Sequence, residues 1–381
     1  MSESQALAYI SQFVEESLRT TPYACTNLMP LPGGSSNFLY RGTLIKPLAD
    51  GTTSIIVKHT EQYLFSNKDF KLTPTRAFHE SQVLTYLSAF PAQSTANSNI
   101  TISTPTLLYY DPTTHTQVHS HHPSLNCLNL KSYILKHGTS ITASTASILG
   151  HSLGHWLKNF HSWANAPAQM ELREVMEGNH AMRTLKLAVN YTNLVAMIDR
   201  FPKILGSSRY VFEQVEREML RWIEEGGKGC RELIHGDFWC GNVLLPSAML
   251  SPNTPALIFI TDHELSHLAS PVFDLAQMCA ELFMLTYFKS IPAGKQILTA
   301  FLEGYGPIDE DKRWKMMIYI GCHLVGWGPR VAGWGTTEQV EGCVKLGRDL
   351  VVGGWRRDRH WCKKGGWEFL IEDKACNGYK A

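Results

Sequence analysis

The chain has 381 residues, longer than a single hydrophobic core usually grows, so two domains or lobes are expected. Apolar residues make up 44% of it and charged residues 18%, which fits a soluble globular protein and excludes a largely disordered chain. The 35 basic and 34 acidic residues leave a net charge of +1, which argues against nucleic acid or an anionic membrane as the partner.

The N-terminal sequence MSESQALAYISQFVEESL predicts an amphipathic helix and lacks the basic start and apolar run of a signal peptide. The longest apolar stretch, residues 275–288, contains Glu281 and is too short to span a bilayer. Nine cysteines without a CxxC pair are most simply explained as reduced thiols. We therefore expect a cytoplasmic protein, either a monomer or a homodimer, that binds no membrane.

Strand signals dominate the first 120 or so residues. The runs SNFLYRGTLI and TSIIVKHT, separated by a turn-forming stretch, predict a β-hairpin. A helical pattern follows from Thr75 to about Ala89, and STPTLLYYD and THTQVHSH predict two more strands. The polar segment PAQSTANSNITIST, between the helix and these strands, is interpreted as a surface loop.

Helical patterns dominate after residue 122. An apolar stripe at helical spacing lies between Thr145 and His161, and further helical patterns cover residues 172–201 and 210–225. A polar loop, two short apolar strands (NVLL and ALIFIT) and more helices complete the chain. The predicted fold class is α+β. Residues 1–122 form a small β-rich lobe with an N-terminal helix and one further helix, and residues 123–381 form a large helical lobe.

The loop LIHGDFWCGNVLL carries the strongest chemical signal. Asp237 and Asn242 have the D-x-x-x-x-N spacing of phosphoryl-transfer enzymes, in which the aspartate accepts a proton and the asparagine binds Mg²⁺. The strand ALIFI runs into Asp262, which is well placed as a second magnesium ligand, and Glu264 faces the same side. Each residue alone also fits a turn, but their order and their flanking strands favour a phosphoryl-transfer site.

The N-terminal lobe offers residues that could hold a nucleotide phosphate. In the turn GGSSN, the glycines Gly33 and Gly34 allow backbone N–H groups to approach an anion, together with Ser35 and Asn37. A plain turn is the alternative. Lys58 ends the strand TSIIVK, an arrangement in which a lysine pairs with nucleotide phosphates, although a lysine at the surface is equally common.

Glu80 favours the functional interpretation of Lys58. In the helix TRAFHESQVLTYL, Glu80 shares a face with Ala77, Leu84 and Leu87. A carboxylate on an inward face is costly unless it meets a cation. We therefore predict an ion pair between Glu80 and Lys58, which would hold the lysine for phosphate contact.

These motifs together resemble the aminoglycoside phosphotransferase and choline kinase-like family. Within it, the chain is most similar to the methylthioribose kinase-like fungal branch, which includes 4-hydroxytryptamine kinase. The similarity covers about residues 25 to 355 and includes HLVGW near the C-terminus. It implies a protein-kinase-like bilobal fold that uses ATP and Mg²⁺ and phosphorylates a small-molecule alcohol.

The resemblance also implies roles for single residues. Asp237 is then the catalytic base, Asn242 and Asp262 are magnesium ligands, and Lys58, anchored by Glu80, binds the α- and β-phosphates. His235 supports the backbone of the loop, and Asp274 in PVFDLAQM ties the loop down. One departure concerns the strand that feeds the adenine-reading hinge, where His119, His121 and His122 occur, and it leaves the choice between ATP and GTP open.

The acceptor is less well defined by the sequence. GWGPRVAGWG places Arg330 between Trp327 and Trp334, an aromatic and cationic surface that could receive a planar or anionic hydroxylated molecule. Tryptophans that merely pack helices together are the alternative. The predicted function is an ATP-dependent small-molecule kinase, and the second possibility is a kinase-shaped protein that binds a nucleotide or metabolite without transferring phosphate.

Overall fold

The computed structural model describes residues 3–31, 36–95, 98–121, 126–224, 232–251, 254–331 and 333–370. The chain divides into two compact units, Met1–Pro91 with Thr104–Asn126 and Ala92–Ser103 with Cys127–Ala381. The first unit is rich in β-strands and the second is mainly helical, so the α+β class predicted from the sequence is confirmed. In the described ranges, none of the helices is both long and apolar enough to cross a membrane.

The strands are β1 (Cys25–Pro30), β2 (Phe38–Leu44), β3 (Ser54–His59), β4 (Tyr63–Leu64), β5 (Asn67–Lys71), β6 (Gln93–Ser94), β7 (Ile100–Ser103), β8 (Leu107–Asp111), β9 (Thr116–Ser120), β10 (Cys127–Asn129), β11 (Glu232–Ile234), β12 (Val243–Pro246), β13 (Ala256–Ile260) and β14 (His267–Ala269). The α-helices are α1 (Glu3–Leu18), α2 (Thr75–Leu87), α3 (Leu130–His137), α4 (Ala143–Ala164), α5 (Met170–Glu177), α6 (His180–Leu187), α7 (Asn193–Arg200), α8 (Pro202–Leu205), α9 (Arg209–Glu224), α10 (Val272–Lys289), α11 (Pro292–Tyr305), α12 (Glu310–Trp327), α13 (Thr337–Arg356) and α14 (Arg359–Lys364).

The first unit is built on an antiparallel five-stranded sheet with the order β1-β2-β3-β9-β8. The predicted hairpin is β2 and β3, which pair in register from Phe38 opposite His59 to Thr43 opposite Ser54. Successive side chains of a strand face opposite sides of its sheet. Ile55 and Val57 therefore join a core with apolar residues of α1, while Lys58 points to the other face.

Helix α2 has the position that the sequence predicted, and eight of its thirteen residues are buried. Glu80 is among them, as the inward-facing position required.

The second unit contains another five-stranded sheet, with the order β10-β12-β13-β7-β6. Strands β12 and β13 are the predicted NVLL and ALIFIT strands and pair antiparallel. The interpretation of residues 91–104 as a surface loop is wrong, because this segment contains β6 and β7. Ile100 and Ile102 are buried in alternation with Thr101 and Ser103, and β7 pairs in parallel with β13. A single lobe boundary after residue 122 does not anticipate this contribution of residues 92–103 to the second unit.

Helix α4 contains the predicted apolar stripe and packs closely against α11. A Cβ atom at Gly150 or Gly154 would overlap the backbone of α11, so the two glycines permit this close approach. The helical pattern over residues 172–201 is interrupted by a π-helical segment, Ala188–Thr192, between α6 and α7. Such single π-turns occur frequently at functional sites.

Candidate active site

The loop between β11 and β12 carries Asp237 and Asn242, and its first turn depends on Gly236. This residue has φ +80°, a left-handed conformation that side chains disfavour, and a Cβ atom there would overlap the carbonyl oxygen of Leu265. Only glycine fits this position without displacing the turn that follows Asp262.

His235 joins the start of the loop to the end of β13. Its Nε2 lies 3.1 Å from the carbonyl oxygen of Thr261, and its Nδ1 accepts a hydrogen bond of 3.3 Å from the backbone N–H of Asp237. The side chain is fully buried. Burial lowers the pKa of His235 despite the nearby carboxylates of Asp274 and Asp237, so the ring is neutral and serves as a support for the backbone.

Asp274, in the first turn of α10, binds the backbone at the start of the loop. Its carboxylate accepts hydrogen bonds from the backbone N–H groups of His235 at 2.8 Å and Gly236 at 2.9 Å. His161 Nε2 lies 2.9 Å from the same carboxylate. Burial alone would raise the pKa of Asp274, but the bond to His161 and the charges and backbone donor nearby outweigh it and lower that pKa. The contact that the sequence predicted between Asp274 and this loop is thus present.

Asp237 accepts hydrogen bonds from three side chains. Gln277 Nε2 lies 2.7 Å and Lys186 Nζ 3.1 Å from Oδ1, while Asn242 Nδ2 lies 3.2 Å from Oδ2. The side chain of Asp237 is 23% exposed. Burial would raise its pKa, but the charge of Lys186 and the bond from Gln277 lower it below the ordinary value. Asp237 is therefore an ionised, oriented carboxylate that is still accessible.

The pairing of β12 with β13 brings the proposed metal ligands together. The carbonyl oxygen of Asn242 accepts a hydrogen bond of 3.0 Å from the N–H of Thr261, the residue before Asp262. Asp262 has φ +68°, an uncommon conformation for a residue other than glycine that clusters at functional sites. One carboxylate oxygen of Asp262 lies within 4.8 Å of one from the buried Glu264, so two acidic groups converge at this turn.

In the first unit, the predicted ion pair is formed. Lys58 Nζ lies 2.8 Å from Oε1 and 2.7 Å from Oε2 of Glu80, and both side chains are buried. Gln117 Nε2 donates a further hydrogen bond of 3.1 Å to Oε2 of Glu80. The pair is thus held on the face of the sheet opposite the α1 core.

The turn expected to bind phosphate is described only in part. Gly33, Gly34 and Ser35 lie outside the described residues. The side chain of Asn37 is buried, and its Oδ1 accepts hydrogen bonds from Thr60 Oγ1 at 2.9 Å and Arg76 Nη2 at 3.2 Å. Asn37 therefore anchors the end of the turn with its side chain.

The surface predicted to receive the acceptor is divided. Arg330 lies 4.9 Å above the ring of Trp327 and donates a hydrogen bond of 2.9 Å to Asn193. Trp334 instead packs against Phe288, with ring centroids 5.5 Å apart, and lies under the ammonium group of Lys131 at 4.2 Å. The two tryptophans therefore have different neighbours and do not form one wall around Arg330.

The sequence reasoning missed Lys186, Gln277 and Lys131. Gln277 follows Asp274 by one helical turn in PVFDLAQM, and this spacing is a signal that could have found it. Lys186 looks like a surface residue of an amphipathic helix. Lys131 Nζ lies 5.5 Å from the ring of Trp239 and 3.6 Å from Glu281.

The chain is similar in sequence to a family model and to several named proteins. A model of the ecdysteroid kinase-like family matches residues 161–286. The chain is 28% identical over 365 residues to the phosphotransferase FrzJ of Cladobotryum sp, which covers 93% of this chain and 94% of that protein. It is 27% identical over 356 residues to a 4-hydroxytryptamine kinase of Psilocybe cyanescens, at 91% of each chain.

A solved structure shows the fold. The amicoumacin kinase hAmiN, in complex with AMP-PNP, Ca²⁺ and Ami, matches with a TM-score of 0.50 at 12% identity and covers 92% of this chain and 96% of that one. The chain therefore has a protein-kinase-like fold. Its similarity in sequence to a phosphotransferase and to a 4-hydroxytryptamine kinase confirms the predicted resemblance to the fungal branch that includes 4-hydroxytryptamine kinase.

Proposed function

We propose that the protein transfers the γ-phosphoryl group of ATP to a hydroxyl group of a small molecule, with Asp237 as the general base. The observation that carries this proposal is the set of contacts around Asp237, whose ionised carboxylate is oriented by three donors and still accessible. A base in this state can accept the proton of an attacking hydroxyl group.

The oxygen donors of the second unit fit a magnesium ion. The Nδ2 of Asn242 donates to the carbonyl oxygen and to Oδ2 of Asp237, which turns the amide oxygen of Asn242 the other way. Asp262 and Glu264 add carboxylate oxygens, and hard divalent cations prefer such ligands. We assign Asn242 and Asp262 as ligands, with Glu264 as a third ligand or the partner of a bound water. Bound Mg²⁺ would neutralise charge on the phosphate oxygens.

The first unit would supply the contact with the α- and β-phosphates. Lys58 provides the cation, and the two short contacts with Glu80 keep its ammonium group in one position. Backbone N–H groups of Gly33, Gly34 and Ser35 are proposed to approach the phosphates. His235 would act through the backbone, since its two ring nitrogens are engaged by backbone groups of Asp237 in the loop and of Thr261 at the end of β13.

The test is phosphate transfer by the wild-type protein and by Asp237→Asn. ADP release is measured with Mg·ATP or Mg·GTP against a panel of amino alcohols, hydroxyindole amines and thiosugars. With the acceptor found, Asp237→Asn should lower kcat by about 10²–10⁴-fold and leave Mg·ATP affinity nearly unchanged. Asp199→Asn, at an exposed position, is the matched control.

The possible results separate the two functions. Near-normal turnover of Asp237→Asn would exclude Asp237 as the base. Mg·ATP binding without transfer or hydrolysis would favour the alternative of a catalytically silent nucleotide-binding protein. A wild-type protein with no affinity for Mg·ATP or Mg·GTP would contradict the kinase proposal altogether.

A further inference from the structure

The carboxylate of Asp237 has most of its acceptor positions occupied. A carboxylate offers two oxygens with about four lone-pair positions. Oδ1 accepts from Gln277 and Lys186, and Oδ2 accepts from Asn242. This leaves one lone-pair position, on Oδ2, for the hydroxyl group of an acceptor.

Lys186 and Gln277 also bind each other. Lys186 Nζ donates a hydrogen bond of 2.8 Å to Oε1 of Gln277. This bond sets the orientation of the Gln277 amide, whose Nε2 then faces Asp237. The three side chains form a closed ring in which each one restricts the other two. Burial opposes the charge of Lys186, but nearby Tyr319 and Asp237 outweigh it, so the pKa of Lys186 is raised and the ammonium group stays charged.

The helix that carries Lys186 is anchored on both sides of this residue. At its start, Asn179 Nδ2 donates a hydrogen bond of 2.8 Å to the carbonyl oxygen of Ser266, close to the turn that bears Glu264. Beyond its end, Asn190 in the π-helical segment donates bonds of 2.8 Å to the carbonyl oxygen of Lys186 and 2.9 Å to the hydroxyl of Tyr319. The backbone of Lys186 is thus held in place.

We propose that Lys186 and Gln277 form a clamp that positions Asp237 and directs the remaining lone pair of Oδ2 at the acceptor hydroxyl. Lys186 acts through Asp237, so it is a positioning residue. This inference rests on the proposed function, since it requires Asp237 to be the base.

The clamp serves the transfer of the γ-phosphoryl group from ATP to the acceptor hydroxyl. The acceptor oxygen forms a bond with the γ-phosphorus, and the bond between that phosphorus and the β,γ-bridging oxygen breaks. ADP leaves with the electron pair of this bond. The hydroxyl proton passes to Oδ2 of Asp237.

The test compares Lys186→Met and Lys186→Arg in steady-state kinetics, with the acceptor that the ADP-release panel identifies. Lys186→Met should lower kcat by about 10–100-fold, because loss of orientation at a reacting group can cost about 10²-fold. The KM for ATP should change less than about threefold, since binding of the nucleotide does not depend on the clamp. Lys186→Arg, which keeps the charge and the donors, should recover much of the loss. Lys203→Met, at an exposed lysine, is the matched control.

A double-variant experiment distinguishes a clamp from an independent cation. In the Asp237→Asn background, Lys186→Met should have no further effect on the residual kcat, because residues that act as a unit are not additive. An equal loss in both backgrounds would mean that Lys186 acts directly on the phosphoryl group, and an unchanged kcat of Lys186→Met alone would also overturn the clamp.

Folding is monitored by circular dichroism and Tm. If Lys186→Met does not fold, Gln277→Met in the same two backgrounds provides the same comparison. A wild-type protein that neither transfers phosphate nor hydrolyses ATP overturns the proposed function itself, which is a different result from a fully active Lys186→Met.

Discussion

Lys58→Met tests the buried ion pair of the first unit. The substitution keeps the length of the aliphatic side chain but removes the ammonium group that lies 2.8 Å and 2.7 Å from the two oxygens of Glu80. The side chain of Glu80 is only 2% exposed, so water cannot replace the lost partner.

The magnitude follows from this burial. Removing one partner of a buried ion pair costs about 3–5 kcal/mol, because the other charge is left uncompensated. Glu80→Gln removes that charge and can still accept a hydrogen bond from Gln117. The decrease in unfolding free energy of the double variant Lys58→Met with Glu80→Gln should therefore be smaller than the sum of the decreases in the two single variants by about 1–3 kcal/mol. Both variants with Lys58→Met should bind Mg·ATP more weakly.

Urea denaturation of the four proteins in this cycle measures the coupling. Arg19 and Glu16 form a surface ion pair at 2.6 Å, with side chains 70% and 60% exposed, which serves as the control. The corresponding cycle with Arg19→Met and Glu16→Gln should show a coupling energy below about 0.5 kcal/mol. If the losses of unfolding free energy in the Lys58 and Glu80 single variants add within about 0.5 kcal/mol, the ion pair makes no specific contribution to stability.

Three further predictions concern the second unit. Gly236→Ala should lower the urea midpoint more than Gly51→Ala does and should also reduce kcat. Both glycines have positive φ, but of the two only Gly236 would place a Cβ atom against the Leu265 carbonyl oxygen. Equal decreases in the urea midpoint would contradict this steric explanation. Asp262→Asn should raise the Mg²⁺ concentration needed for half-maximal turnover by at least about tenfold, and an unchanged Mg²⁺ titration would remove Asp262 from the ligand set. Burial would raise the pKa of Glu281, but the hydrogen bond and charge of His323 lower it. The ionised Glu281 carboxylate therefore stabilises the folded protein above its ordinary pKa of about 4.3, and this stabilisation is lost as pH falls through the lowered pKa. In Glu281→Gln, the urea midpoint should therefore fall less steeply than in the wild-type protein as pH is lowered. If the two proteins show the same dependence of the urea midpoint on pH, Glu281 does not make this contribution.

Several features of the fold and the site follow from short sequence patterns. The hairpin of β2 and β3, helix α2 and the inward position of Glu80 depend on side-chain periodicity, which is a local property of the backbone. The ion pair with Lys58 follows because a buried carboxylate needs a partner and the neighbouring strand offers one.

Other features escaped prediction because their signal is not local. Strand β7 is short, and its pairing with β13 joins residues that are far apart in the chain. Lys186 precedes Asp237 by 51 residues, and its sequence neighbours do not distinguish it from a lysine at the surface. Trp327 and Trp334 are close in sequence but contact different elements, because α12 ends at Trp327 and Trp334 lies beyond it, against Phe288.

Several strands and helices, and the chemical groups of the loop, were predictable from local sequence patterns. The spacing of Asp237 and Asn242, and the glycine that allows the first turn, are set by bond geometry over a few residues. The side chains around Asp237 depend on packing between distant segments, because α6 and α10 bring Lys186 and Gln277 to within hydrogen-bond distance of one oxygen. Hydrogen bonds and charges act over a few ångströms in space, whatever the separation of the residues along the chain.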